Sequence, residues 1–144
     1  MQTLSVDVAV IGAGTAGMTA FHAARKHTDK VVLIESGPYG TMCARVGCMP
    51  SKLLIAAADA AHAARDAGRF GVQVASVDVD GVAVMKRVRD ERDRFAAYAA
   101  GTVERWPEHQ RLRGHARFID AHTLQVTDAS GAVQHVQAAR VVIA

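Results

Sequence analysis

Cys43 and Cys48 are the only cysteines in the 144-residue chain, and Ala44-Arg45-Val46-Gly47 separates them. A thiol pair at this spacing can cycle between dithiol and disulfide, help to bind a metal ion such as zinc, or pack as inert core groups. On an uninterrupted α-helix, residues i and i+5 have Cα atoms about 8.6 Å apart. A disulfide needs less than about 7 Å. Pairing therefore demands a local break, and Gly47 supplies the backbone freedom for one. A cross-link that needs such a distortion is easier to reduce than a structural one. Zinc fits poorly, because a closed site takes four ligands at closer spacing and none of the seven histidines is so arranged with the cysteines. Redox activity is the leading reading, with inert buried thiols as its alternative.

Upstream lies a second chemical feature. Val6-Asp7-Val8-Ala9-Val10-Ile11 reads as a buried strand and runs directly into Gly12-Ala13-Gly14-Thr15-Ala16-Gly17. Gly12 permits the tight strand-to-helix turn, Gly14 lets a pyrophosphate approach the backbone, and Gly17 lets the helix pack closely. The helix N-terminus offers amide donors to the phosphates. Glu35 closes a second buried strand, Val31–Ile34, where it can accept hydrogen bonds from a ribose diol and disfavour a 2′-phosphate. Strand, loop, helix and acid together indicate dinucleotide binding, with FAD or NAD preferred to NADP. The motif alone does not separate FAD from NAD.

The remaining elements must position these groups. Helices are expected over residues 18–27, 50–66 and 82–106. Strands are expected over 117–119, 122–127, 132–137 and 141–144. This predicts an α/β fold: a Rossmann-like domain with a parallel sheet, a long helix and a small antiparallel β-meander, spanning 1–144 as one domain. Pro50 is expected to open its helix, with Lys52 in the first turn, where the dipole disfavours a cation; Lys52 is then either a solvated lysine or a cation paired with an acid or held beside a cofactor. The long helix should carry exposed pairs Arg87/Glu91, Arg89/Asp93 and Asp90/Arg94. The chain stops on an unflanked core strand, Val141–Ala144, so the expectation is the N-terminal part of a longer protein. A net charge of +3, scattered among acids, argues against nucleic-acid binding. No signal sequence or membrane-length apolar run stands in the chain, and a cytoplasmic location is expected.

Three segments carry a family resemblance: Gly12–Gly17, Glu35-Ser36-Gly37-Pro38 and Cys43-Ala44-Arg45-Val46-Gly47-Cys48-Met49-Pro50-Ser51-Lys52. Gly114-His115-Ala116-Arg117-Phe118 fits a later cofactor-contacting segment, and Val141–Ala144 a later strand. On these residues the whole chain resembles the N-terminal FAD-binding part of the pyridine-nucleotide disulfide oxidoreductases. Pro50-Ser51-Lys52 is nearer to the dihydrolipoamide dehydrogenase and mercuric reductase pattern than to that of glutathione reductase. The resemblance implies FAD, held tightly without a covalent bond, and NAD as co-substrate through a domain outside this chain. It implies that Cys48 faces the flavin and forms the charge-transfer complex, while Cys43 exchanges with substrate. Lys52 would sit near the reactive flavin nitrogen and Ala116 would meet the adenine side through its backbone. Electrons would pass between NAD(H), FAD, the cysteine pair and a small-molecule or lipoyl-protein dithiol or disulfide, in a homodimer whose partner supplies a histidine base. The 144 residues alone are then expected to be inactive with NADH and a disulfide. Thr41, Met42 and Arg45 depart from the family pattern on the phosphate side of the loop. Two other classes compete: a non-catalytic nucleotide-binding module with structural thiols, and a thiol sensor without flavin.

Overall fold

The computed structural model describes residues 3–144. The chain forms two compact units, one running up to Thr41 and resuming at Tyr98–Ala144, the other Met42–Ala97.

In the first unit, β1 (Thr3–Ile11), β2 (Val31–Glu35), β3 (Arg111–Arg113), β4 (His115–Phe118), β5 (Thr123–Thr127) and β6 (Val133–Ile143) form one six-stranded sheet of order β3-β2-β1-β6-β5-β4. β1 pairs in parallel with β2 and β6, and β2 in parallel with β3; the β4-β5-β6 pairings are antiparallel. The expected α/β fold with parallel sheet and meander is therefore present. The two strands expected at 132–137 and 141–144 are one eleven-residue strand, β6. Its first half pairs on both sides, with β5 and β1, and its second half extends the β1 ladder. The intervening Ala138-Ala139-Arg140 reads as a break from composition, but ladder hydrogen bonds to β1 carry it through.

Period-two alternation sorts the strand residues between two cores. Val10, Val31 and Leu33 face Phe21 of α1 (Thr15–Arg25) together with Tyr39, Val103 and Trp106. Ala9, Val32 and Ile34 face the other way, toward Leu124, Val126, Val136 and Ala138. Phe21 and Trp106 stack with ring centroids 4.2 Å apart and planes 8° from parallel, which fixes α1 against the chain after the long helix. Only Gly114 separates β3 from β4, although these strands lie at opposite ends of the strand order. The sheet must therefore curl, and Leu112 of β3 and Ala116 of β4 both reach the second core. Gly114 has φ +154°, and a Cβ there would sit 2.7 Å from the Thr127 carbonyl oxygen, so the closure requires glycine.

In the second unit, α2 (Met42–Arg45) and α3 (Cys48–Asp66) are followed by a 3-10 turn over Ala67–Phe70 and by most of α4 (Gly81–Glu104). Asp80 caps α4 by accepting hydrogen bonds from the Val82 and Ala83 amides at 2.9 and 3.0 Å. The ion pairs on α4 are Lys86–Asp90, Arg94–Glu91 and Arg92–Asp93 in place of the expected set. Each is an exposed surface pair of small energetic weight. On this helix Tyr98 is exposed and Val103 is buried. Among the described residues no helix is long and apolar enough to cross a membrane.

The tightest backbone approach in the first unit is at Gly17, where a Cβ would lie 1.9 Å from the Gly12 carbonyl oxygen. Gly17→Ala should destabilise by about 1–3 kcal/mol, the usual cost of overpacking. At Gly14 a Cβ would meet nothing within 4 Å, so Gly14→Ala should leave the melting temperature within about a degree of the parent. Thermal melts of the two variants check this; equal melting temperatures would contradict the packing argument.

Candidate functional site

Two groups of residues carry chemistry, one in each unit. In the first unit, Gly12, Gly14, Gly17 and Glu35 come together at the carboxyl ends of β1 and β2, as expected for a dinucleotide cradle. Gly12 has φ +103°, and a Cβ there would lie 2.2 Å from the Ala144 carbonyl oxygen. Gly14 is the N-cap of α1, has no side-chain cap, and faces open space. The first turn of α1 thus has no side-chain cap and there is open space beside Gly14, which suits an anionic phosphate.

Glu35 does more than its expected ribose role. One carboxylate oxygen accepts a hydrogen bond from the Ala13 amide at 2.8 Å, the other from the Gly37 amide at 2.6 Å. Its backbone carbonyl accepts the Gly114 amide at 3.0 Å. An ionised carboxylate offers about four acceptor positions, so two remain for a diol. Beyond Glu35 opens a cleft of about 360 Å³ walled by Ser36, Arg113, Gly114, His115 and Thr127, with Asp128 at its rim. Ala116 stands one residue past this wall, half-buried against the second core and opposite Val126. Arg113 and Tyr39, which the sequence reading passed over, meet here. The Arg113 guanidinium lies 4.1 Å above the Tyr39 ring and donates a hydrogen bond to the Gly37 carbonyl. The signal available in the sequence was the position of Arg113 directly before Gly114-His115-Ala116.

In the second unit, the helix carrying the thiols is broken where the spacing required it. α2 ends at Arg45, Val46 and Gly47 intervene, and Gly47 caps α3. A Cβ on Gly47 would lie 3.6 Å from the Cys43 Cα, which shows how closely the turn folds back. The Ser51 amide and hydroxyl both donate to the Gly47 carbonyl, at 3.2 and 2.9 Å. α3 starts at Cys48, so Pro50 is its third residue, where its missing amide hydrogen still costs no helical bond. Lys52 correspondingly lies just beyond the first turn, in a correction of its expected place.

Cys43 is half-buried and Cys48 exposed, both as free thiols. The hydrogen bond between the two thiols is the main reason that the Cys43 pKa is raised above the usual thiol range. Desolvation and repulsion from Cys48 add to it, while the Cys48 amide and the Lys52 charge pull the other way. Lys52 thus acts electrostatically on this pair. Among the described residues no cluster of three or more histidine, cysteine or acidic side chains could hold a metal ion. Arg45, one of the departures from the family pattern, has its Nε buried with no hydrogen-bond partner.

The family model described as Pyridine nucleotide-disulphide oxidoreductase matches residues 6–144, and the chain belongs to this family. It is 36% identical over 146 residues to a mercuric reductase of Streptomyces lividans, covering 96% of this chain and 29% of that one. It is 33% identical to a dihydrolipoyl dehydrogenase of Chlorobaculum parvum, with 96% and 29% covered. Among solved structures, the Cu(II) complex of the HOCl-induced flavoprotein disulfide reductase RclA from Escherichia coli superposes with a TM-score of 0.70 at 23% identity, covering 97% of this chain and 28% of that one. That likeness shows the shared fold. The chain spans less than a third of the length of these relatives.

The causes of the raised Cys43 pKa fix the sign of two substitutions. Cys48→Ala removes the largest raising influence, so Cys43 should form thiolate at lower pH. Its iodoacetamide alkylation profile should shift toward acid. Lys52→Gln removes a lowering influence and should shift the profile toward alkali. Alkylation rates measured between pH 6 and 10 check both signs, and shifts in the same direction would contradict the assigned causes.

Proposed function

We propose that the chain is the FAD and dithiol segment of a disulfide oxidoreductase that passes electrons between NAD(H), FAD, the Cys43–Cys48 pair and a dithiol or disulfide substrate such as dihydrolipoamide. The observation that carries this reading is the thiol pair brought together across a helix break, in a chain whose glycine cradle leaves Gly14 open to a phosphate. In this reading the pyrophosphate lies on the α1 amides, Glu35 accepts from the ribose, and the adenine enters the cleft walled by Ser36 and His115, beside Ala116. Lys52 serves the flavin end. FAD, when bound, supplies two-electron exchange between the nicotinamide and the cysteine pair.

The chain's own residues account for the thiol chemistry. The Cys43 thiolate attacks a substrate disulfide, forming a mixed disulfide and releasing one substrate thiol. Cys48 then attacks the Cys43 sulfur, releasing the second substrate thiol and closing the Cys43–Cys48 disulfide. The substrate gains two electrons and two protons, and the pair loses the same. Lys52 favours the Cys43 thiolate, and the Cys48 thiol holds the Cys43 proton until substrate arrives. A reversible pair of this kind works in a reducing compartment, so the proposal includes a cytoplasmic location and, for the whole protein, a homodimer. A mercury ion in place of the disulfide is the second reading, favoured by the identity to the Streptomyces lividans enzyme.

The test is to titrate the purified chain with FAD and follow absorbance from 300 to 600 nm, with thiol counts before and after a dithiol reductant. Retained flavin bands are expected, with two thiols after reduction and none after oxidation. Cys43→Ser should keep the flavin and leave a thiol count of one both after reduction and after oxidation. Unchanging thiols would support an inert module, and a cycling pair without flavin would support a sensor.

A further inference from the structure

Glu35 is the residue the sequence points to on the adenosine side, yet it shares that end of β2 with a cation. Glu35 and Arg113 are paired in register across β2 and β3. The Arg113 side chain turns back over the strand end: it donates to the Gly37 carbonyl, two residues past Glu35, and lies 4.1 Å above the Tyr39 ring. Tyr39 itself is buried in the first core. One aromatic face and one hydrogen bond therefore fix the guanidinium to a turn whose other side is held by Glu35 through the Gly37 amide. Arg113 also walls the 360 Å³ cleft with Ser36 and His115. A guanidinium has five donors and two flat faces, and here one donor and one face are in use. Among the described residues no ion pair joins it to Asp128, whose Oδ1 accepts hydrogen bonds from Ser130 and Ala132 in its own turn.

We propose that Arg113 is a specificity-determining residue for the adenosine half of the cofactor. With Tyr39 beneath it, it forms a planar, positively charged plate at the cleft wall that receives the adenine face and holds the Ser36–Gly37 turn in the receiving shape. This rests on the dinucleotide reading above and adds a residue to it. The physical basis is the stacking of a guanidinium between two π-systems, and a lysine cannot reproduce it because its ammonium is a point charge. The order along the site supports the placement. Gly14 takes the phosphates, Glu35 the ribose, and the next open space is the cleft that Arg113 walls.

The test compares the affinity of the parent chain, Arg113→Ala and Arg113→Lys for FAD and for ADP, which has the adenosine and pyrophosphate but no flavin. Flavin fluorescence and calorimetry give the two constants. Both substitutions should weaken FAD and ADP by the same factor, about tenfold for alanine, with lysine recovering less than half of that loss on a logarithmic scale. Equal affinities for parent and variants would overturn the role of Arg113 while leaving the dinucleotide reading intact. A loss for FAD with none for ADP would also overturn it. A parent chain that binds neither ligand would overturn both. Full recovery by lysine would reduce Arg113 to a simple charge and defeat the stacking argument. Because lysine keeps the charge and the stem, Arg113→Lys keeps the test decisive if the alanine variant fails to fold, and melting temperatures of the unliganded variants separate lost affinity from lost stability.

Discussion

Much of the first unit is organised around one carboxylate. Glu35 ends β2, and its two oxygens take the Ala13 amide from the glycine loop and the Gly37 amide from the following turn, while its carbonyl takes Gly114 from the β3–β4 junction. Three chain segments far apart in sequence are thus tied to one residue. Hydrogen bonds from neutral amides to a charged acceptor are roughly twice as strong as neutral ones. They leave acceptor positions turned outward, so the group that shapes the cradle can also take part in binding.

The curl of the sheet follows from the same junction. A single glycine joins the two strands at opposite ends of the strand order, so the sheet cannot lie flat. It wraps the second core, and the first core is left to α1, Val103 and Trp106. The positive φ at Gly114 and the absence of room for a Cβ are the local conditions of that closure. Curvature also puts Arg113 and His115 on either side of Gly114 at the mouth of a cleft, beside the end of β2. Cleft wall and sheet closure are two results of one glycine junction.

The thiol pair obeys a different constraint. Continuous helix would hold the two cysteines too far apart, so α2 stops after four residues and α3 restarts at Cys48. The break brings the thiols close enough to influence each other, with one half-buried and the other open to solvent. Their proximity raises the Cys43 pKa, and Lys52 partly offsets this from the second turn of α3. Attack on a disulfide needs the thiolate, so these influences on Cys43 bear directly on any exchange it makes.

What the sequence by itself determined was local and periodic. The glycines at 12, 14 and 17, the acid at 35 and the interrupted cysteine helix follow from rules of a few residues' range, and the near-continuous apolar runs in β1 and β2 announced buried strands. The two-strand reading of 132–144 failed because the pairing that makes β6 continuous comes from β1, more than a hundred residues earlier. β3, three residues long, has no periodicity to read and exists because β2 offers it a ladder. The engagement of Glu35 with Ala13 and Gly37, and of Arg113 with Tyr39, was likewise decided only in three dimensions. Hydrogen bonds and stacking depend on which segments the sheet brings side by side, and no residue type or spacing encodes that before the sheet has curled.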